Sequence, residues 1–208
     1  MFALLALVTN NKYWVLHSWM IRLILRLRGV RVAPGFHCQG VPRLQIRGRA
    51  DNIVIEENVR FLGDVDLRNR ENGRLVFCRD VVVEGDCRFV AARDGELRIG
   101  SGSIVTKGAL LNGGADLIIG EQCIIGPRCS INANEHVFQR DTPVREAGFI
   151  HEPVSIEDDC WIAANVVINK GVTLGRGSVI GAGAVVTRST EPYSVNVGAP
   201  AKKIGERS

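Results

Sequence analysis

Aliphatic residues recur at every sixth position between residues 156 and 188 of this chain. The repeated residues are Ile156, Ile162, Ile168, Leu174, Ile180 and Val186, and a smaller residue follows four positions after each of the first five. Neither the period of a helix nor the alternation of a long strand gives this spacing. A six-residue repeat is typical of a parallel β-helix, in which each hexad forms one short strand and one corner. The pattern therefore predicts an all-β fold of this kind.

The same register extends back towards the N-terminus in four earlier triplets. They are Ile55, Phe61 and Leu67; Phe77, Val83 and Phe89; Ile99, Val105 and Leu111; and Ile119, Ile125 and Ile131. A weaker triplet at Val32, Cys38 and Leu44 precedes them. We therefore expect a β-helix domain at residues 32–188 and a C-terminal tail at residues 189–208.

All the breaks in the repeat fall between the third strand of one coil and the first strand of the next. Three of them exceed a hexad by two or four residues and predict tight turns. The fourth separates Ile131 from Ile156 by 25 positions, 19 more than one hexad. Loops of this length are usually functional or disordered, and the apolar residues in this one favour packing. We therefore expect the extended loop at residues 132–155 to form part of a site.

Residues 1–31 stand apart from the repeat as an N-terminal amphipathic helical segment. After an apolar run at residues 1–8, residues 9–11 are candidates for a helix cap. A helix is predicted from Lys12 to Arg28, ending before Gly29. Its wide apolar face needs a partner, because its few polar residues share one stripe.

Two partners fit that apolar face. The helix can pack on the end of the β-helix and help to form an oligomer. Alternatively it can rest on a membrane, with Arg22, Arg26 and Arg28 near anionic lipid, which would place the protein peripherally on the inner face. Polar residues within the first 21 argue against a transmembrane span. The lack of a basic residue before the apolar run argues against a cleaved signal.

Composition narrows the functions available. The chain has 208 residues and a net charge of +4, without a basic run interleaved with aromatic residues, which argues against nucleic-acid binding. The 23 glycines suit a solenoid with many corners. None of the six cysteines forms a CxxC pair, and four of them occupy the small inward position of the repeat. We interpret the cysteines as reduced, buried side chains of a cytoplasmic protein.

The loop at residues 132–155 contains His136 and His151, two of only four histidines. Imidazole is the natural general base at neutral pH, and His136 lies at the base of the loop. Glu135 or Asp141 would orient its ring, and His151 is the lesser candidate. The other two histidines lie far towards the N-terminus, so the three-histidine zinc site of a γ-type carbonic anhydrase is not predicted, and no metal is expected.

The C-terminal third of the chain resembles a known enzyme family. The segment Cys160 to Asn165 (Cys-Trp-Ile-Ala-Ala-Asn) and the segment Val197 to Lys202 (Val-Gly-Ala-Pro-Ala-Lys) are similar to those of the hexapeptide-repeat acyltransferases. The nearest branch contains maltose and galactoside acetyltransferases and bacterial polysaccharide O-acetyltransferases. This resemblance, which covers about residues 50–205, implies a left-handed β-helix, a homotrimer, and active sites between subunits with acetyl-CoA along the coils.

The resemblance also implies roles for single residues. His136 matches the catalytic histidine, and the backbone amide of Ala164 matches the one that contacts the thioester carbonyl. The positions that contact CoA in the family are occupied here by Trp161, Ala164, Ala182, Thr187, Arg188 and Lys202. Two residues depart from the family pattern: Ala163 stands where the family usually has glycine, and Ala164 where it commonly has serine. If only the backbone amide of residue 164 contacts the thioester, neither change removes the activity.

The implied function is acetyl-CoA-dependent O-acetylation of a sugar hydroxyl. The acceptor would be a bacterial surface polysaccharide or its lipid-linked precursor, attacking the thioester directly with a histidine as general base. One alternative is N-acetylation of a nucleotide-linked amino sugar. An alternative of another class is a non-catalytic trimeric scaffold.

Overall fold

The chain forms a parallel β-helix in the computed structural model, which describes residues 12–207. Helix α1 spans Lys12–Leu27, as predicted to within one residue, and Gly29 follows it with a φ of +87°. A 3-10 turn spans Ala50–Asn52, and helix α2 spans Val144–Ala147. The apolar run and the cap predicted at residues 1–11 lie outside the described residues.

The strands stack into three sheets that form the faces of the β-helix. Sheet A contains β1 (Arg31–Val32), β4 (Ile53–Ile55), β7 (Arg74–Phe77), β10 (Glu96–Ile99), β13 (Leu117–Ile119), β18 (Val154–Ile156) and β21 (Thr173–Leu174). Sheet B contains β2 (His37–Cys38), β5 (Arg60–Leu62), β8 (Val82–Glu84), β11 (Ile104–Val105), β14 (Ile124–Ile125), β19 (Trp161–Ile162), β22 (Val179–Ile180), β24 (Ser194–Val197) and β25 (Lys202–Glu206). Sheet C contains β3 (Arg43–Ile46), β6 (Val65–Asn69), β9 (Cys87–Ala91), β12 (Leu110–Asn112), β15 (Ser130–Asn132), β20 (Val167–Ile168) and β23 (Val185–Val186).

Each coil gives one strand to each sheet, and neighbouring coils pair in parallel. Strands β24 and β25 then pair antiparallel at the edge of sheet B, so residues 194–206 of the predicted tail extend that sheet. A separate antiparallel pair, β16 (Asn134–His136) and β17 (Phe149–His151), projects from the corner between sheets C and A.

The predicted six-residue register is confirmed throughout. The repeated residues stack directly on one another, for example Ile119 on Ile99 and on Ile156. The weak first triplet belongs to the same register, because Val32 pairs with Ile55 in sheet A. The breaks also fall at one corner, where sheet C passes to sheet A. A row of four aromatic rings fills the core of the N-terminal coils: Phe36, Phe61, Phe77 and Phe89. Each ring meets the next edge to face, with centroids 5.0–5.3 Å apart.

The six cysteines are free and buried, including the four at the small inward positions of the repeat: Cys87, Cys123, Cys129 and Cys160. Burial raises the pKa of Cys38 and of Cys87 to about 11. Both thiols are therefore neutral near pH 7 and pack as small apolar side chains.

Helix α1 covers the first coil with the side that carries His17, Ser18, Ile21 and Leu25. Strand β2 is the edge of sheet B, so its outer backbone groups lack a strand partner. The backbone amide of Cys38 instead donates to Ser18 Oγ at 2.8 Å, and His17 Nε2 lies 2.9 Å from the carbonyl oxygen of Gly40. Ser18 and His17 are buried, together with Ile21 and Leu25. The helix thus packs on the end of the β-helix and turns its other side outward.

Phe77→Ala is expected to lower the free energy of unfolding by about 3–5 kcal/mol, because it opens a cavity in the middle of the aromatic row. Phe138→Ala is the matched control, since Phe138 is 73% exposed and its loss is expected to change stability by no more than about 0.5 kcal/mol. Urea unfolding followed by circular dichroism measures both values. Equal midpoints for the two variants would contradict the role of the row.

Candidate active site

The long break in the repeat forms an antiparallel hairpin on the flank of the β-helix. Strand β16 leaves sheet C and β17 returns to sheet A, with His136 opposite Phe149 and Asn134 opposite His151. Because side chains alternate along a strand, these four residues point to one side and Glu135 to the other. The two loop histidines therefore share a face of the hairpin.

The imidazole of His136 is exposed and lies against Phe149. The two ring centroids are 4.1 Å apart, and Phe149 is itself 54% exposed. No hydrogen-bond partner of His136 occurs among residues 12–207, so its nitrogens are available to a substrate. Neither carboxylate proposed from the sequence holds the ring, because Glu135 faces the opposite side and Asp141 is exposed in the connecting loop.

Lys170 ties the base of the hairpin to the next coil. Its ammonium group donates to Glu152 Oε1 at 2.8 Å and lies 3.7 Å from Glu135 Oε2. The hydrogen bond to Glu152 raises the pKa of Lys170, so the lysine stays charged. On the inner side, the amide of Glu152 donates to the carbonyl of Ala133, which is fully buried. Glu135 thus anchors the hairpin that carries His136 and does not orient the imidazole.

A cleft of about 520 Å³ lies between the hairpin and sheet C. Its lining includes the following polar and aromatic residues: Arg68, Arg70, Glu71, Arg88, Arg93, Asn112, Asn134, Phe149 and His151. Phe149 lies both in this wall and against His136, so the candidate base stands at the rim of the cleft.

The four arginines of the cleft differ in how far they are neutralised. Asp66 accepts from Arg68 at 2.6 Å and from Arg88 at 3.0 Å. The hydrogen bond from Arg68, with a smaller contribution from Arg88, lowers the pKa of Asp66 despite its partial burial. Arg70 and Arg93 form no ion pair within residues 12–207. The cleft therefore keeps a net positive charge that favours anionic groups.

His151 lies deeper in the cleft than His136. Its Nδ1 is buried without a hydrogen-bond partner. Desolvation, and next the charge of Arg93, lower the pKa of His151. The ring is therefore neutral at pH 7 and can donate or accept one hydrogen bond from inside the cleft.

The residues that the resemblance assigned to CoA lie away from His136 on this chain. Trp161 projects from sheet B and is 52% exposed. Ala164 and Ala182 occupy the next corner in successive coils, where the amide of Gly183 donates to the carbonyl of Ala164 at 2.9 Å. The backbone amide of Ala164 donates no hydrogen bond within the described part of the chain and remains available to a ligand.

The other three assigned positions lie farther along the chain. Thr187 and Arg188 follow the last strand of sheet C, and Lys202 begins β25; all three are exposed. The fold therefore brings Trp161, Ala164 and Ala182 to one region, but leaves His136 at a different corner of the same protomer.

Residues 153–188 match the family model described as bacterial transferase hexapeptide, six repeats. This segment of 36 residues is therefore similar to the hexapeptide repeat of that model. The matched segment begins where the hairpin ends and contains Trp161, Ala164 and Ala182.

Three known proteins are similar to this chain in sequence or in fold. It shares 35% identity, over 54% of its own length and 61% of the other chain, with a hexapeptide-repeat-containing acetyltransferase of Vibrio cholerae crystallised with acetyl-CoA, at a TM-score of 0.50. A polysialic acid O-acetyltransferase shares the fold at a TM-score of 0.58 over 85% of this chain and 89% of that chain, with 20% identity. The 2,3,4,5-tetrahydropyridine-2,6-dicarboxylate N-acetyltransferase of Ligilactobacillus salivarius is 54% identical over 57 residues, or 27% of this chain. The chain spans about a quarter of the length of the curated relatives it matches, 24% and 22%.

The cleft and the four arginines that line it, Arg68, Arg70, Arg88 and Arg93, were not predicted from the sequence. We call it the arginine cleft. Arg68 and Arg88 are neighbours in adjacent coils, since the strands pair Asp66 with Arg88 and Arg68 with Val90. The spacing of 22 residues between Asp66 and Arg88, which is one coil here, was the available signal. It becomes informative only once the coil length is known.

Asp66→Asn is expected to reduce stability at pH 7 by about 1 kcal/mol, because it removes charged hydrogen bonds to two arginines. The folded pKa of Asp66 is lowered, so its charge stabilises the fold above the unfolded pKa, and that contribution is lost as the pH falls through the folded value. The variant should therefore lose less stability than the wild type between pH 7 and about pH 3. Urea unfolding at the two pH values measures this difference, with the exposed Asp141→Asn as the control. Identical pH dependence in the wild type and Asp66→Asn would disprove the contribution.

Proposed function

We propose that the chain is an acetyl-CoA-dependent acetyltransferase that O-acetylates a sugar hydroxyl of a bacterial surface polysaccharide or its lipid-linked precursor. The observation that carries the proposal is the exposed imidazole of His136 at the rim of a basic cleft, on a hairpin inserted into hexapeptide repeats. The relative crystallised with acetyl-CoA supports the choice of co-substrate.

The reaction needs one base and one oxyanion donor. His136 takes the proton of the acceptor hydroxyl while the hydroxyl oxygen attacks the thioester carbonyl carbon. The backbone amide of Ala164 donates to the developing oxyanion. Collapse of the tetrahedral intermediate breaks the carbon–sulfur bond, and the imidazolium returns its proton to the CoA thiolate. The products are an acetyl ester and CoA, with no covalent enzyme intermediate.

The geometry of one protomer favours a homotrimer for this chemistry. His136 lies at the corner between sheets C and A, whereas Trp161 and Ala164 lie on and beside sheet B. In a trimer, the hairpin of one protomer would face sheet B of the next. CoA would then contact Trp161, Ala164, Ala182, Thr187, Arg188 and Lys202 along the coils.

The cleft supplies the acceptor side of the proposed site. Phe149 offers an exposed aromatic surface for a sugar ring, and Asn112 and Asn134 offer amide groups to its hydroxyls. Arg70 and Arg93 would pair with a carboxylate or phosphate of the acceptor. An acidic polysaccharide or a lipid-linked sugar phosphate has both features.

N-acetylation of a nucleotide-linked amino sugar is the second candidate. The 54% identity over 57 residues to a protein named as an N-acetyltransferase supports acetylation of an amine, and the diphosphate of a nucleotide-linked acceptor would also suit the arginines. The two candidates differ in their product, because mild alkali removes an acetyl ester and leaves an acetamide intact.

His136→Ala is expected to reduce turnover by about 10²–10⁴-fold, because it removes the general base. Transfer from acetyl-CoA is measured with a panel of acidic polysaccharides and nucleotide-linked amino sugars, followed by mild alkali. Arg145→Ala, an exposed change in the same loop, is the control and should keep wild-type turnover. Turnover near the wild-type rate in His136→Ala would rule out this base, and alkali-stable products would favour N-acetylation.

Acetyl-CoA is expected to stabilise the folded protein by about 2.7 kcal/mol at a concentration of 100 times its Kd, because it binds the folded state only. Thermal unfolding with increasing acetyl-CoA measures this, with acetate as the control ligand. Trp161→Ala should shift the effect to higher concentrations while His136→Ala leaves it in place. No stabilisation of the wild type would favour the non-catalytic scaffold.

A further inference from the structure

Helix α1 presents an unusually apolar face to solvent. Seven large apolar side chains on it are between 43% and 78% exposed: Val15, Leu16, Trp19, Met20, Leu23, Ile24 and Leu27. Their spacing places them on one side of the helix. Continuous exposed apolar patches of this kind mark interaction sites in soluble proteins.

Contacts on the inner side of α1 fix the orientation of the helix. Ser18 and His17 are held by the backbone of Cys38 and Gly40, and Ile21 joins the core. Rotating the apolar face inward would break these hydrogen bonds and leave the edge of β2 unpaired. The exposure of the apolar face is therefore a property of the folded protein.

The part of the sequence that contains this face is strongly basic. Residues 1–50 contain eight Lys and Arg residues and no Asp or Glu, whereas the whole chain has 26 basic and 22 acidic residues. The first 50 residues therefore carry +8, and the other 158 carry 18 basic and 22 acidic residues, a net of −4. On α1, Lys12 and Arg26 are exposed beside the apolar side chains, and Arg28 follows the helix.

We propose that α1 docks the protein on an anionic membrane surface, with its apolar face at the boundary between head groups and acyl chains. Exposed Trp and Leu side chains suit that depth, and the flanking Lys and Arg suit lipid phosphates. Among residues 12–207, no helix is long and apolar enough to cross a membrane. The helix would lie in the plane of the surface, because Ser18 and His17 hold its inner side on the β-helix.

A second copy of the chain fits this face less well than lipid does. A symmetric contact would bring two copies of the exposed Lys12 and Arg26 together, and α1 carries no acidic residue to compensate them. Anionic head groups supply the missing charge. This inference goes beyond acetyl transfer and does not depend on it.

Co-sedimentation of the full chain with vesicles tests the proposal, without acetyl-CoA or acceptor. We expect binding to vesicles of phosphatidylcholine mixed with phosphatidylglycerol, weaker binding to phosphatidylcholine alone, and a decrease with added salt. Trp19→Glu combined with Leu23→Glu should lower the affinity by about tenfold or more. Ile204→Glu, in an exposed residue of β25, is the matched control and should bind as the wild type.

A further variant separates charge from apolar contact. Arg26→Glu with Arg28→Glu should weaken binding to the anionic vesicles and leave the weak binding to phosphatidylcholine unchanged. Circular dichroism melting checks that each variant is folded, and light scattering after gel filtration gives its oligomeric state. The proposal is overturned if the wild type does not bind anionic vesicles, or if the Trp19 and Leu23 variant binds them equally well. It is also overturned if that variant is monomeric where the wild type is an oligomer, because a second copy then covers the face.

Discussion

The stacking of inward side chains in register is the constraint on which the rest of this structure depends. Each coil pairs with the next through parallel backbone hydrogen bonds, so a slip of one residue would turn every core side chain to solvent. Residues such as Ile99, Ile119 and Ile156 must therefore lie directly above one another. Additional residues are tolerated only where they leave this register intact, which here is the corner between sheets C and A.

That restriction also determines where chemistry can be built. The hairpin with His136 emerges from the one corner that accepts insertions, and the flanking coils hold it through Lys170 and Ala133. The outward residues of sheet C are under no packing constraint from the core. Arg68 and Arg88 occupy such positions in adjacent coils, so the repeat itself aligns them into one wall of the cleft. The candidate site is thus made by the regular fold and by its largest irregularity together.

The sequence predicted the parts of the site that depend on spacing along the chain. The position of His136 at the base of the loop followed from counting hexads, and the strand pairing agrees with it. The partner of Glu135 could not be predicted, because Lys170 reaches it only when two coils are stacked. The same holds for the arginine cleft, whose residues come from separate coils and meet only through sheet pairing.

By itself, the sequence determined the coil register, the single corner that accepts insertions, and a helix from Lys12, because each of these follows from periodicity along the chain. Only the tertiary structure decided which side of that helix faces inward. The apolar side was the larger one, yet Ser18 and His17 face the β-helix. An unpaired strand edge requires hydrogen-bonding groups, and Leu or Trp side chains have none to offer for the amide of Cys38. Local periodicity predicts that a helix is amphipathic, but the groups it meets in the fold determine which of its faces is buried.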